Sequence, residues 1–212
     1  MTLLRAPYAP VDDDLPKGRL YVLEGVSGIG KSTLTALLAK RLDATTLHTL
    51  PEPLASWSRT MNIALRPLPQ FAFYLSGLLH ASDLIRDGLG HGHVVADRYA
   101  SSVIACHAAV HGLGVDQVTG LLAPFRPYLV PPARTFYLRA REDTLRERLR
   151  HKTDTKQDDT DLFTVPGRLA ALLAQFDTVA VGDPTAVVLD TDDHTPDELA
   201  AQVLNTLRES DA

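Results

Sequence analysis

The chain has 212 residues, 45% of them hydrophobic, which is enough for one domain with a sizeable core. A formal net charge of −5 argues against a nucleic-acid backbone as main partner, because such partners are met by a basic face. The single cysteine, Cys106, rules out an internal disulfide or a thiolate metal cluster and suits a reducing cytoplasm.

Residues 1–18 carry Arg5, three aspartates and three prolines without a long apolar segment, so a loose arm is expected there, with neither signal peptide nor membrane span. One domain then fills 19–212. Its first strand, 19–24, runs into Gly25-Val26-Ser27-Gly28-Ile29-Gly30-Lys31-Ser32 and a helix from Ser32 and Thr33 to Leu42. This is a complete G-x-x-x-x-G-K-[ST] loop in its required strand–loop–helix setting. Its glycines let backbone N–H groups converge on one anion, and the helix start adds unpaired amides and a positive dipole end. Lys31 is then expected at the terminal phosphates of a nucleotide and Ser32 at a magnesium ion.

A second strand, 44–50, leads to Pro51-Glu52-Pro53, where the prolines keep Glu52 out of a helix at the carboxyl end of a strand. A carboxylate there can accept the proton of an attacking hydroxyl; the bland alternative is a solvated loop acid. Trp57 reads first as packing and second as a stacking platform. A helix spans 69–88 and a third strand 93–97, ending in Asp97-Arg98-Tyr99. Asp97 is placed for a magnesium contact and Arg98 for phosphate charge, or the two simply cap the next helix, 98–111. Strand 134–139 precedes helix 141–152, whose arginines at 146, 148 and 150 cannot share one face, and Glu142 is paired with Arg146. A polar break at 153–161 completes a lid over about 141–161. Helix 166–180, strand 186–190 and helix 196–208, opened by Thr195 and Pro196, end the chain. The alternation predicts a parallel sheet covered on both faces. None of the eight histidines shows metal-ligand spacing.

The loop, Pro-Glu-Pro…Trp, Asp-Arg-Tyr and Tyr137-Leu138-Arg139-Ala140 before an arginine helix together resemble the thymidylate kinase and deoxynucleoside kinase superfamily, from about Leu20 to Arg208. Leu79-His80…Asp97-Arg98-Tyr99-Ala100-Ser101-Ser102 is similar to thymidylate kinases. Glu52-Pro53-Leu54-Ala55-Ser56-Trp57 is similar to the deoxynucleoside kinase segment whose glutamate serves as base for the 5′-hydroxyl. Pro51, Leu54 and Gly77 stand where thymidylate kinases carry Arg-Glu-Pro-Gly-Gly-Thr and the arginine that grips the acceptor's phosphate. Tyr74 stands where deoxynucleoside kinases carry a base-reading glutamine. Arg148 matches the first lid arginine, followed by Lys152 and Asp154.

The resemblance implies a three-layer α/β P-loop kinase fold with a five-stranded parallel sheet and a helical lid, using ATP and Mg2+. Residues 25–33 and Asp192 are then expected at ATP, with Ser32 and Asp97 at the metal. Glu52, Lys31, Arg98 and Arg148 are the catalytic candidates; Glu52, Trp57, Phe73, Tyr74 and Arg98 face the acceptor. That acceptor is a small molecule, a nucleoside, nucleotide or related alcohol; a homodimer is compatible with the resemblance. A neutral acceptor is expected to outperform a dianionic one, since Gly77 supplies no cation and Asp154, Asp158, Asp159 and Asp161 crowd the lid. Rival readings are thymidylate kinase proper, an O-phosphotransferase for an antibiotic or secondary metabolite, and a P-loop NTPase switch.

Overall fold

The structure, a computed structural model, describes residues 10–11, 18–150 and 162–211. Five parallel strands form one sheet, β1 (Leu20–Glu24), β2 (Thr45–His48), β3 (Val94–Asp97), β4 (Arg134–Arg139) and β5 (Ala186–Asp190), in the order β2-β3-β1-β4-β5. β1 and β3 are buried throughout and β4 over its central residues, as strands covered on both faces must be. β2 alternates polar residues with exposure and takes one edge; β5 takes the other.

The helices are α1 (Lys31–Leu42), α2 (Leu54–Ala64), α3 (Pro67–Leu89), α4 (Ala100–His111), α5 (Val115–Leu122), α6 (Glu142–Arg150), α7 (Arg168–Val181) and α8 (Pro196–Asp211). α1 packs on α8, while α4 packs on α3 and α7, so the sheet is the middle layer of the expected three. Two helices are additions to the sequence reading. α2 follows Pro53 and buries none of its residues. α5 starts beyond Gly114, whose N–H is capped by Gln117 Oε1 at 2.9 Å. The expected cap of α8 is present: Thr195 Oγ1 and N both donate to Glu198 Oε2, at 2.8 and 2.7 Å.

Of the expected arm, Val11 lies within the described residues and donates its N–H to Pro127 O at 2.8 Å. Lid residues 151–161, with Lys152 and the four lid aspartates, lie outside them. Among the described residues no helix is long and apolar enough to cross a membrane.

Candidate active site

The register sets Leu23 and His48 beside Asp97, and Glu24 beside Tyr137, so the carboxyl ends of four strands finish on one rim. The chain leaves β1 for one side of the sheet and later crosses to the other, which makes this rim the switch point where open α/β sheets bind ligands. Residues 25–30 curl over it. Val26 and Ile29 turn their side chains into the core, Ser27 is half-buried and Thr33 lies exposed in the first turn of α1. Gly30 begins α1 at φ 106° with no side-chain cap and open space where a Cβ would stand, so the first amides of the helix face an unfilled cradle. At Gly28, φ 81°, a Cβ would lie 2.7 Å from Leu149 Cγ: α6 is seated directly on the loop.

Lys31 is buried, and its Nζ donates to Val26 O at 2.8 Å. Burial, and then the neighbouring Arg98 cation, lower its pKa to about 7 despite the Asp97 and Glu24 carboxylates. Ser32 Oγ donates to Asp97 Oδ2 at 2.6 Å, and His48 Nδ1 stands 3.7 Å from the same oxygen. Burial alone would raise Asp97, but His48, Lys31, Ser32 and Arg98 hold its carboxyl well below the usual range. Asp97 Oδ1 is buried with no partner among the described residues. An ionised carboxylate with one orphaned oxygen beside a serine hydroxyl fits a hard divalent cation whose other ligands are phosphate and water. Among the described residues no cluster of three or more His, Cys, Asp or Glu forms a self-contained metal site.

Arg98 has a left-handed backbone, φ 72°, and its Nη1 donates to Gly25 O and Ser102 Oγ, both at 3.1 Å. Glu24, a side chain the motif reading passed over, is fully buried beneath it and accepts from Tyr99 N at 2.8 Å and Ser102 N at 3.1 Å. Burial raises its pKa, against the pull of Ser102 and Arg98. The signal was available: a glutamate closing an apolar β1 strand has to be buried, and a buried carboxylate needs donors.

The acceptor-side candidates are more loosely assembled. Thr49 N and Oγ1 donate to the carbonyls of Asp97 and Arg98, at 3.2 and 2.9 Å, and so bring the segment before Glu52 to the rim. Glu52 itself is exposed and caps α2, accepting from Ser56 Oγ at 2.6 Å and Ser56 N at 3.2 Å. Trp57 is 52% exposed on α2. Phe73 and Tyr74 are half-buried on α3 with ring centroids 5.3 Å apart. Tyr74 donates to Asn62 Oδ1 at 2.7 Å, as does Gln70 Nε2 at 3.1 Å; His111, bonded to Gln70 Oε1, and the tilted His107 ring beside it extend this network. At Gly77 a Cβ would stand 1.8 Å from Leu50 Cδ1, so the position expected to hold an arginine is closed by packing.

On the lid side, Arg148 Nη1 donates to Thr191 Oγ1 at 2.8 Å and Ile29 O at 3.2 Å, and Nη2 to Thr191 O at 2.6 Å. In this state the expected lid cation ties the loop to the β5–α8 connection. Asp192 accepts from Arg141 N at 3.0 Å and pairs with its Nε at 3.1 Å. Arg146 bonds Glu142 at 2.9 Å, the expected exposed pair, and its guanidinium covers the Phe163 ring.

The family model described as thymidylate kinase matches residues 23–181, three quarters of the chain, with the phosphate loop, β2, β3 and β4 inside the match and β5, Thr191 and Asp192 beyond it. The chain belongs to the thymidylate kinase family. It is an ATP-dependent kinase, a phosphotransferase. A thymidylate kinase of Prochlorococcus marinus (strain MIT 9313) is 30% identical over 182 residues, covering 74% of this chain and 82% of that protein. A probable thymidylate kinase of Natronomonas pharaonis is 33% identical over 127 residues, 56% of this chain and 65% of that protein. The solved thymidylate kinase of Candida albicans superposes with a TM-score of 0.74 over 92% of both chains at 19% identity, a likeness of fold.

Proposed function

We propose that this kinase moves the γ-phosphoryl of ATP to a thymidine-type nucleoside monophosphate. The observation that carries the reading is the family match across 23–181, which includes the acceptor-side helices α2, α3 and α4 as well as the phosphate loop. Residues 25–33 and Asp192 bind ATP; Lys31 and Arg98 neutralise charge on the transferred group, joined by Arg148 once it leaves Thr191. Ser32 and Asp97 would hold Mg2+, which supplies charge neutralisation at the phosphates when bound; the orphaned Asp97 Oδ1 supports this. Trp57, Phe73 and Tyr74 border the acceptor. A monophosphate arrives with a nucleophilic oxygen already ionised, so Glu52 keeps its place as the cap of α2.

A specific observation favours a second reading. Gly77 is closed by Leu50, leaving no room for a phosphate-gripping side chain, and Glu52 offers an exposed carboxylate at the rim. From the acceptor flank beside the rim, that carboxylate suits a neutral nucleoside whose hydroxyl loses its proton to Glu52. Steady-state ADP release with thymidine and with thymidine monophosphate separates the two: the proposed function requires a higher kcat/KM for the monophosphate. Preference for thymidine would replace it with the nucleoside reading, and activity with neither would remove both.

A further inference from the structure

Glu24 is a fully buried carboxyl group that the proposed chemistry does not use, and such a group is costly to bury unless its oxygens find partners. Its Oε1 accepts from the N–H groups of Tyr99 and Ser102, at 2.8 and 3.1 Å, at the start of α4. Its Oε2 accepts the hydroxyl proton of Ser102. A serine hydroxyl has one proton to give, and here it is spent on Glu24, so the oxygen's lone pairs are turned the other way. There they accept Arg98 Nη1 at 3.1 Å, the same nitrogen that donates to Gly25 O at 3.1 Å. Arg98 Nε and Nη2 have no partner among the described residues. The guanidinium is thus pinned by one nitrogen against the phosphate loop with the others free. Its φ of 72°, which a non-glycine residue adopts only when its surroundings impose it, is held by Arg98 N donating to Leu23 O and Thr49 Oγ1 donating to Arg98 O, both at 2.9 Å.

We propose that Glu24 and Ser102 are positioning residues for Arg98: the Glu24 carboxylate fixes the direction of the Ser102 hydroxyl, and that hydroxyl holds the guanidinium against the phosphate loop. The inference rests on the charge-neutralising role assigned to Arg98 in the proposed function. It explains why an acid, not an amide, closes β1. In Glu24→Gln the side-chain oxygen still accepts from Tyr99 and Ser102, but the amide N–H2 donates to the Ser102 oxygen. The hydroxyl proton then has no acceptor at residue 24, its direction is no longer fixed, and the hold on Arg98 weakens.

The test measures acceptor-dependent ADP release with the better acceptor of the thymidine pair for Arg98→Ala, Ser102→Ala, Ser102→Thr, Glu24→Gln and the Arg98→Ala/Ser102→Ala double variant, each checked for an unchanged melting temperature. Arg98→Ala is expected to lose about a hundredfold in kcat. Ser102→Ala, which keeps both backbone caps on Glu24, should lose about tenfold in kcat with the KM for ATP changed less than about twofold. Ser102→Thr, which restores the hydroxyl, should recover most of that loss, and Glu24→Gln should lower kcat in the same direction, by up to the loss in Ser102→Ala. In the double variant the serine change should cost nothing further, because its effect runs through Arg98. Normal kcat in Ser102→Ala, or full multiplication of the two losses, overturns the positioning role while leaving Arg98 in place. Near-normal kcat in Arg98→Ala instead overturns the assignment of Arg98, and this inference falls with it. Should Glu24→Gln unfold, the serine variants decide alone.

Discussion

The donor rim and the acceptor flank of the same cleft are built on different principles. Lys31, Asp97 and Glu24 are buried side chains at the ends of β1 and β3 or on the first residue of α1, each bonded to a neighbouring element. Glu52, Trp57 and Asn62 sit on or beside α2, a helix without a buried residue, fastened to α3 largely by side-chain hydrogen bonds. Groups that must meet the same triphosphate in every turnover gain from preorganisation in a packed rim, where no reorganisation is needed at the moment of transfer. A surface helix is the cheaper place to vary what is accepted, since its substitutions leave the core untouched.

The largest effect belongs on the rim. Lys31→Ala should lower phosphoryl transfer by about a hundredfold or more, since it removes a charge at the phosphates, with a melting curve to show that the variant is folded. Retention of more than about a tenth of normal turnover would mean the loop does not hold the transferred group, and the contrast between the two regions would dissolve. On the flank, Glu52→Gln sharpens the comparison: turnover near normal is expected for a monophosphate acceptor, with α2 still capped by the amide oxygen. A drop of roughly a hundredfold with unchanged ATP affinity would make Glu52 a base and favour the nucleoside reading.

The smallest effect concerns stability behind the flank. Burial, and then the neighbouring His111, lower the pKa of His107 to about 4. An unfolded histidine takes up its proton near pH 6.5, so between about pH 6.5 and 4 the unfolded chain binds more protons than the folded one. Stability contributed by His107 is therefore complete above about pH 6.5 and lost as pH falls toward 4. Melting temperatures should decline by a few degrees across that window, and His107→Gln should flatten the decline. An unaltered slope in the variant would place the titration elsewhere.

Much of this architecture is legible in the residues. All five strands lie within the expected spans, because buried parallel strands of Val, Leu, Tyr and Phe punctuated by glycine leave little ambiguity. The phosphate loop and Asp97-Arg98 were readable because their chemistry is local to one strand end each. Glu24 was not singled out, since its meaning lies in residues 75 and 78 positions away. α2 is harder to read because the flanking prolines suggest a loop, although Leu54, Trp57 and Met61 do recur at helical spacing and Glu52 followed four residues later by Ser56 marks its cap. The closure of Gly77 by Leu50 joins two elements that no spacing rule connects.

The contact between Gly28 and Leu149 makes the loop and α6 a single joint. A methyl group at residue 28 would collide first with the leucine of the helix above, before any phosphate entered. Substitutions at Leu149 to a smaller side chain should then tolerate alanine at Gly28 better than the parent does, within the limit set by its φ of 81°. The room at residue 28 is therefore set from outside the loop, and the choice of side chain at Leu149 on α6 decides what the phosphate loop can carry at that glycine.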